Sequence, residues 1–180
     1  MTRAQLEHIV RAAGSITDES VILVLGSQSI LGAFPAVPPP LDVSREADVC
    51  PLHAPEKADL ISGAIGEVSL FDSTFGYYAH GLPPESCPLP SGWQERLIPF
   101  QNDNTRGVTA LCLHPLDLAC SKLVAAREKD VVFVAAMLAH RLIETRDLEN
   151  QIGFLPNADQ RKRAGQIFAV VRSKDPGERD

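Results

Sequence analysis

The sequence predicts an α/β domain with a short mixed sheet, followed by a small bundle of helices. Within residues 1–113, short apolar runs rich in β-branched residues alternate with segments that have helical spacing. From His114 onward, the apolar residues recur at helical spacing with little interruption. We therefore expect an α/β core at 1–113, a helical segment packed on it at 114–175, and a frayed tail at 176–180.

The first elements surround one buried strand. Residues 2–13 carry apolar side chains at helical spacing, and Gly14 is the expected C-cap of that helix. Val21–Leu25 is wholly apolar and too short for a helix, which is typical of a buried central strand. Gly26 permits a tight turn after this strand, and Ser27–Leu31 is predicted to begin a short helix.

The remaining elements follow from the positions of proline, glycine and apolar residues. We expect an extended connection at Pro35–Pro40, a second strand at Ala47–Cys50, a helix at Glu56–Gly66, short strands joined by tight turns between Phe71 and Phe100, and a further strand at Val108–Leu113. Pro115 suits the first turn of the helix that opens the C-terminal segment.

Charge and cysteine usage narrow the class of protein. The net charge is -6 and the sequence pI is near 5.3, which argues against a general nucleic-acid coat protein, although an acidic protein can carry a local basic patch for RNA. The four cysteines have no CxxC spacing, the N-terminus lacks a secretory signal, and uncharged runs fall short of the ~20 residues of a membrane span. We expect a soluble cytoplasmic protein with reduced thiols and no membrane partner.

Two short patterns together predict a metal and phosphate site. Glu46 and Asp48 are two residues apart in a predicted strand, so their carboxylates project side by side and repel each other unless a cation lies between them. Mg²⁺ is the expected cation, because it prefers carboxylate, phosphate and water oxygens. Gly26 and Ser27 offer backbone N–H groups, a hydroxyl and a helix start to a phosphate. Each pattern alone is also typical of an ordinary turn or an exposed strand face.

The combination "LGSQS…EADV" resembles the signature of the DNA polymerase β-type nucleotidyltransferase superfamily. This resemblance implies that Gly26 and Ser27 contact the triphosphate of an NTP, and that Glu46 and Asp48 hold Mg²⁺, with Mn²⁺ as an alternative ion. The chain departs from the pattern in two ways. The proline cluster lengthens the connection between Ser27 and Glu46, and the first acid is Glu rather than the commoner Asp.

The segment "HPLDLACSKLVAAREKD" is similar to a motif of the AbiEii/MenT-type nucleotidyltransferases, many of which are toxins of bacterial toxin–antitoxin pairs. The similarity implies that Lys122 and Asp130 complete the site, with Arg127 and Lys129 between them. "FGYYAHGL…LPSGWQERL" also resembles an uncharacterised bacterial family of the same superfamily, so the resemblance covers roughly residues 20–145.

The residues themselves leave alternatives open for Lys122 and Asp130. Lys122 lies on an otherwise apolar helix face, where a lysine either extends to water or reaches a buried anion such as a triphosphate. Asp130 is either a site residue or the N-cap of the next helix.

The third carboxylate of polymerase-type sites has no clear counterpart. Glu67, Asp72 and Glu95 are the other candidates, and none lies in a convincing strand position. The resemblance to toxin-type relatives, which recruit a later aspartate, implies that Asp130 is the best substitute. The histidines show no ligand spacing and are expected in loops or on the surface: His53, His80, His114 and His140.

We therefore expect a Mg²⁺-dependent enzyme that transfers a nucleotidyl group from an NTP to a hydroxyl. Asp48, Lys122 and Asp130 are its expected catalytic residues, and Asp130 would orient or deprotonate the acceptor. By resemblance, the acceptor is a tRNA 3′ end or a protein side chain, a cognate antitoxin is a further partner, and DNA is not one. The alternative is a non-catalytic protein of the same fold that serves as a binding module. A kinase-like phosphotransferase lacks support, because the sequence contains no GxxxxGK[ST] motif.

Overall fold

A computed structural model describes residues 1–173, so the predicted tail at 176–180 lies outside the described residues. The chain order is α1 (Arg3–Thr17), β1 (Val21–Val24), α2 (Ile30–Ala33), β2 (Glu46–Pro51), α3 (Ala58–Ile65), α4 (Leu70–Phe75), β3 (Tyr78–Gly81), β4 (Ile98–Phe100), β5 (Thr109–Cys112), α5 (Pro115–Ala125), α6 (Glu128–Ala139), α7 (Thr145–Ile152) and α8 (Ala158–Ser173). Single 3₁₀ turns precede α2 and α3.

The strands form one five-stranded mixed sheet in the order β3-β2-β1-β5-β4. β1 is the central strand, antiparallel to β2 and parallel to β5, while β3 is parallel to β2 and β4 is antiparallel to β5. Ile22, Leu23 and Val24 of β1 are at most 1% exposed, as expected for a strand covered on both faces. The predicted mixed α/β fold is confirmed, and the apolar run at Val21–Leu25 marks its centre.

The pairing of β1 with β2 brings the first turn next to the carboxylates. The backbone N–H of Leu25 donates to the carbonyl of Asp48 at 2.9 Å, which places the end of β1 beside the middle of β2. Ala47 and Val49 are fully buried on one face of β2, while Glu46 and Asp48 remain partly exposed on the other. The period-2 argument for the carboxylate pair is therefore confirmed.

Gly14 is not the C-cap of α1, which continues to Thr17. Asp18 is the C-cap, in the left-handed conformation at φ 55°, and its backbone N–H bonds back to the carbonyl of Gly14. Gly14 instead lies inside the helix, where a Cβ would meet the side chain of Val108 too closely. The glycine serves close packing of α1 against the chain just before β5, which local sequence does not reveal.

The segment 71–100 contains less strand than its turn-rich composition predicted. It begins inside a helix, α4, whose N-cap Ser69 accepts a hydrogen bond from the backbone N–H of Asp72. Strands β3 and β4 occupy only Tyr78–Gly81 and Ile98–Phe100. The expectation of strands was wrong for Phe71–Phe75, because a capped helix of this length has too few residues for a recognisable helical period.

The helices that follow β5 bear directly on the site. Helices α5 to α8 pack on one another, and α5 also contacts α2 and the 3₁₀ turn at Ser27–Ser29. One continuous cluster of buried apolar residues extends through the sheet and these helices. The four cysteines are free, and Cys50, Cys112 and Cys120 are buried. Within residues 1–173, we find no helix with the length and apolar character needed to cross a bilayer.

Candidate functional site

A cleft of about 520 Å³ opens between the sheet and helix α5. It contains the turn after β1, the polar face of β2, part of β3, and the facing side of α5 with the loop that follows. Its charged and polar lining includes every predicted site residue except Asp130, together with one histidine: Gly26, Ser27, Glu46, Asp48, His80, Lys122, Arg127 and Lys129.

Gly26 lies directly against the carboxylate of Asp48. A Cβ built on Gly26 would overlap the side-chain oxygen and carbon atoms of Asp48. The backbone of Gly26 has φ -85°, which any residue can adopt, so the requirement for glycine comes from this close approach. The turn and the carboxylate pair therefore form one site.

The carboxylates of Glu46 and Asp48 are electrostatically unfavourable neighbours. Burial and the charge of Asp48 raise the pKa of Glu46 above its ordinary value, against the opposing influence of His80 and Lys129. A cation between the two carboxylates would stabilise the ionised form of Glu46. This arrangement supports the expectation of a metal at this position.

His80 is the third member of this cluster, and it is exposed as expected, although it lies in strand β3 rather than in a loop. Its Nδ1 atom is 3.3 Å from Oδ1 of Asp48 and 3.8 Å from Oε1 of Glu46. One ligand atom from each of the three residues lies within 4.8 Å of the others, a spacing that could hold a metal ion. His80 neighbours Asp48 because β3 pairs with β2 in parallel register, across two intervening helices.

Lys122 lies on the opposite wall of the cleft and is 8% exposed. Its ammonium group donates to Oγ of Ser27 at 2.8 Å and to Oδ1 of Asp130 at 3.0 Å, and it lies 4.3 Å from the centre of the Phe133 ring. Burial lowers the pKa of Lys122, although the charge of Asp130 opposes that effect. Lys122 therefore does not extend to water but contacts a buried anion, which is the second of the two alternatives.

That anion, Asp130, is fully buried beneath the cleft. It also accepts a hydrogen bond from Nε of Arg127 at 2.6 Å. Burial alone would raise the pKa of Asp130, but the hydrogen bonds and charges of Arg127 and Lys122 lower it. Arg127 is the N-cap of α6, so the alternative of Asp130 as the N-cap was wrong. In this position Asp130 holds two cations and presents no surface to an acceptor.

No third carboxylate lines this cleft among the residues that the structure describes. Asp72 instead forms an ion pair with Arg45 at 2.5 Å, and Glu67 and Glu95 also lie outside the lining. The candidates for a third acid therefore supply none at the site, and His80 occupies the position next to the pair.

A second cleft of about 360 Å³ adjoins the first and shares Ser27, Ser44, Lys122 and Lys129 with it. Its other walls are mainly apolar, and come from the connection before β2 and from α6: Pro40, Leu41, Val43, Val132 and Phe133. The basic side of the site thus continues into an apolar recess.

One of three comparisons with known proteins gave a match. A family model described as "Nucleotidyltransferase of unknown function (DUF6036)" matches residues 5–154, which include both walls of the cleft. Comparison with curated proteins and with solved structures gave no match.

Proposed function

The chain belongs to this nucleotidyltransferase family, and from that premise we propose that the cleft transfers a nucleotidyl group from an NTP to a hydroxyl acceptor. The observation that carries the proposal is the convergence of a carboxylate pair and a buried lysine on opposite walls of one cleft. The acceptor oxygen would form a bond to the α-phosphorus, the bond from that phosphorus to the oxygen bridging the α- and β-phosphates would break, pyrophosphate would leave with that oxygen, and the proton of the acceptor hydroxyl would pass to solvent water.

Glu46 and Asp48 would hold the divalent metal ion, with His80 adjacent to them. Mg²⁺ is the ion expected for two carboxylates and phosphate oxygens. When bound, the ion neutralises phosphate charge as the bond to the leaving group breaks. The close fit of Gly26 against Asp48 keeps the backbone of the turn next to the carboxylates that would hold the ion.

Ser27 and Lys122 would bind the phosphates from the other wall. Their side chains already contact each other at 2.8 Å, so a phosphate oxygen that reaches one also reaches the other. Asp130 would act as a positioning residue rather than as the base for the acceptor, because its carboxylate is buried and its bonds fix Lys122 and Arg127. Arg127 and Lys129 add positive charge to the same wall.

The apolar recess would accommodate the nucleoside. It begins at Ser27 and Lys122, where the phosphates are proposed to bind, and its walls at Leu41, Val132 and Phe133 can cover the faces of a base. Apolar and aromatic contact with a base is tolerant of base identity. We therefore expect this recess to favour nucleotides in general over free phosphate.

For the acceptor we propose a tRNA 3′ end or a protein side chain, in a toxin–antitoxin setting. This part of the proposal is supported by the resemblance of "HPLDLACSKLVAAREKD" to the AbiEii/MenT-type segment, whose lysine and aspartate correspond to Lys122 and Asp130. A cognate antitoxin would then be the protein partner, and a cytoplasmic location would follow from both acceptors.

The test is incubation of the chain with each α-labelled NTP, a divalent metal, and total bacterial RNA or lysate protein. We expect label on one class of macromolecule, lost in Asp48→Asn and retained in the matched control Asp59→Asn, whose carboxylate is exposed on α3. Absence of label with every NTP, together with no NTP binding by calorimetry, would overturn the proposal in favour of a non-catalytic binding module.

A further inference from the structure

We propose that this metal site prefers Mn²⁺ to Mg²⁺, and that His80 is the residue that sets the preference. The inference rests on the proposed function for the location of the metal, and it goes beyond that function in assigning the ion and the role of the histidine. The two carboxylates alone would suit Mg²⁺, as expected from the sequence.

The geometry of the cluster places an imidazole nitrogen among the ligand atoms. An octahedral ion bound at ~2.1 Å has neighbouring ligands about 3 Å apart. The Nδ1 atom of His80 is 3.3 Å from the nearer oxygen of Asp48 and 3.8 Å from that of Glu46. All three ligand atoms lie within 4.8 Å of one another, so shifts of about 1 Å in each would bring them to that spacing on one ion.

The position of His80 has little structural purpose of its own. Its side chain is 48% exposed, so it contributes little to the core, and an exposed pairing of imidazole with carboxylate contributes little stability. Its strand neighbour Ala79, by contrast, is fully buried and packs in the core. A half-exposed ring directed at two carboxylates is the arrangement of a ligand.

The chemistry of the donor set then selects the ion. Mg²⁺ binds almost only oxygen, whereas imidazole suits first-row transition metals. Two carboxylates with phosphate oxygens remain a predominantly hard set, and among the first-row divalent ions Mn²⁺ is the one that carboxylate and water ligands suit. One nitrogen added to that set favours Mn²⁺ over Mg²⁺ while retaining affinity for a triphosphate.

The test uses the full chain, stripped of metal with a chelator and titrated with Mn²⁺. Electron paramagnetic resonance of free Mn²⁺ gives the affinity, and the modulation of the spin echo reports a coordinated ¹⁴N nucleus. We expect ¹⁴N modulation in the wild-type chain, loss of it in His80→Ala and His80→Asp, and no change in His53→Ala. His53 is exposed and lines neither cleft, which makes it the matched control.

Competition with Mg²⁺ measures the preference. Changes to residues that only support a ligand alter metal affinity about 10–100-fold, so loss of a direct ligand should have at least that effect. In His80→Asp, the Mg²⁺ concentration that displaces half of the bound Mn²⁺ should fall at least about tenfold relative to wild type. Circular dichroism verifies that each variant is folded.

Two results would overturn the inference: no ¹⁴N modulation in the folded wild-type chain, or the same Mg²⁺ displacement in His80→Asp as in wild type. Failure of the proposed function has a different signature. Nucleotidyl transfer by a chain that gives either of these two results would remove the Mn²⁺ preference and leave the function. Nitrogen coordination in a chain that neither transfers a nucleotidyl group nor binds an NTP would overturn the proposed function and leave the Mn²⁺ inference.

Discussion

Asp130→Ala tests whether the buried ion pair under the cleft stabilises the fold. Asp130 is fully buried and Lys122 is 8% exposed, so the substitution leaves an ammonium group without its counter-ion in the interior. Removing one partner of a buried pair costs about 3–5 kcal/mol. Arg127, although only 2.6 Å from the same carboxylate, is 63% exposed, and its replacement by alanine should cost about 0–1 kcal/mol.

The assay is urea unfolding followed by the fluorescence of Trp93, with thermal unfolding in parallel. For a chain of this size, the expected loss corresponds to a decrease in Tm of roughly 6–20 °C for Asp130→Ala. Lys122→Met combined with Asp130→Ala should recover part of that loss, because it removes the unpaired charge. The reasoning is refuted if Asp130→Ala loses no more stability than Arg127→Ala.

Three further expectations concern pH, the turn after β1, and a second buried acid. The pKa of Asp130 is lowered from 3.8 in the folded state, so the stability that its ionised form contributes is complete above that pH and is lost as the pH falls through the folded-state pKa. The difference in unfolding free energy between wild type and Asp130→Asn should therefore be constant above pH ~5 and shrink below it. Urea unfolding across a pH series measures this difference. Gly26→Ala should weaken Mn²⁺ binding at least about tenfold in the paramagnetic resonance titration, because the added methyl group displaces the Asp48 carboxylate. The same substitution should change the free energy of unfolding by no more than about 1 kcal/mol. An unchanged Mn²⁺ affinity would contradict the argument that Gly26 is needed for its close approach to Asp48. Asp117→Ala removes the buried partner of Arg96, and it should cost about 1–3 kcal/mol in urea unfolding, less than Asp130→Ala, because the Arg96 side chain is 32% exposed and can be solvated. It should leave Mn²⁺ affinity as it is in wild type, since Asp117 is not part of the cleft lining, and a loss of metal affinity in the folded variant would contradict that separation.

The sequence predicted those parts of the site that depend on local periodicity. The apolar run at Val21–Leu25 marks the central strand because a strand covered on both faces excludes polar side chains. Glu46 and Asp48 project together because a strand has a period of two. Ser27 meets Lys122 because α5 packs on the turn after β1, an approach that the family resemblance implied.

The parts that the sequence did not predict depend on the pairing of distant segments. His80 becomes a neighbour of Asp48 only through the parallel register of β3 with β2, and two helices separate these strands along the chain. The spacing of histidines in the sequence carries no trace of that register. An alternation of polar and buried residues in Tyr78–Gly81 was the one available signal, and the strand is too short for it to be distinctive.

The distribution of charge in the cleft explains why metal and nucleotide should bind together. One wall carries Glu46 and Asp48, and the other carries Lys122, Arg127 and Lys129. The charges of Glu46 and Asp48 influence Arg127, and that of Lys129 influences Glu46, so the two walls interact across the cleft. Asp130 forms ion pairs with Lys122 and Arg127 and so neutralises part of their positive charge, which makes the net positive charge of this wall smaller than its three cations suggest. The carboxylates of Glu46 and Asp48 would therefore repel a triphosphate, and the positive charge of the basic wall alone would offset only a small part of this repulsion. A divalent ion held by the two carboxylates would convert that repulsion into attraction, and each ligand would then increase the affinity for the other.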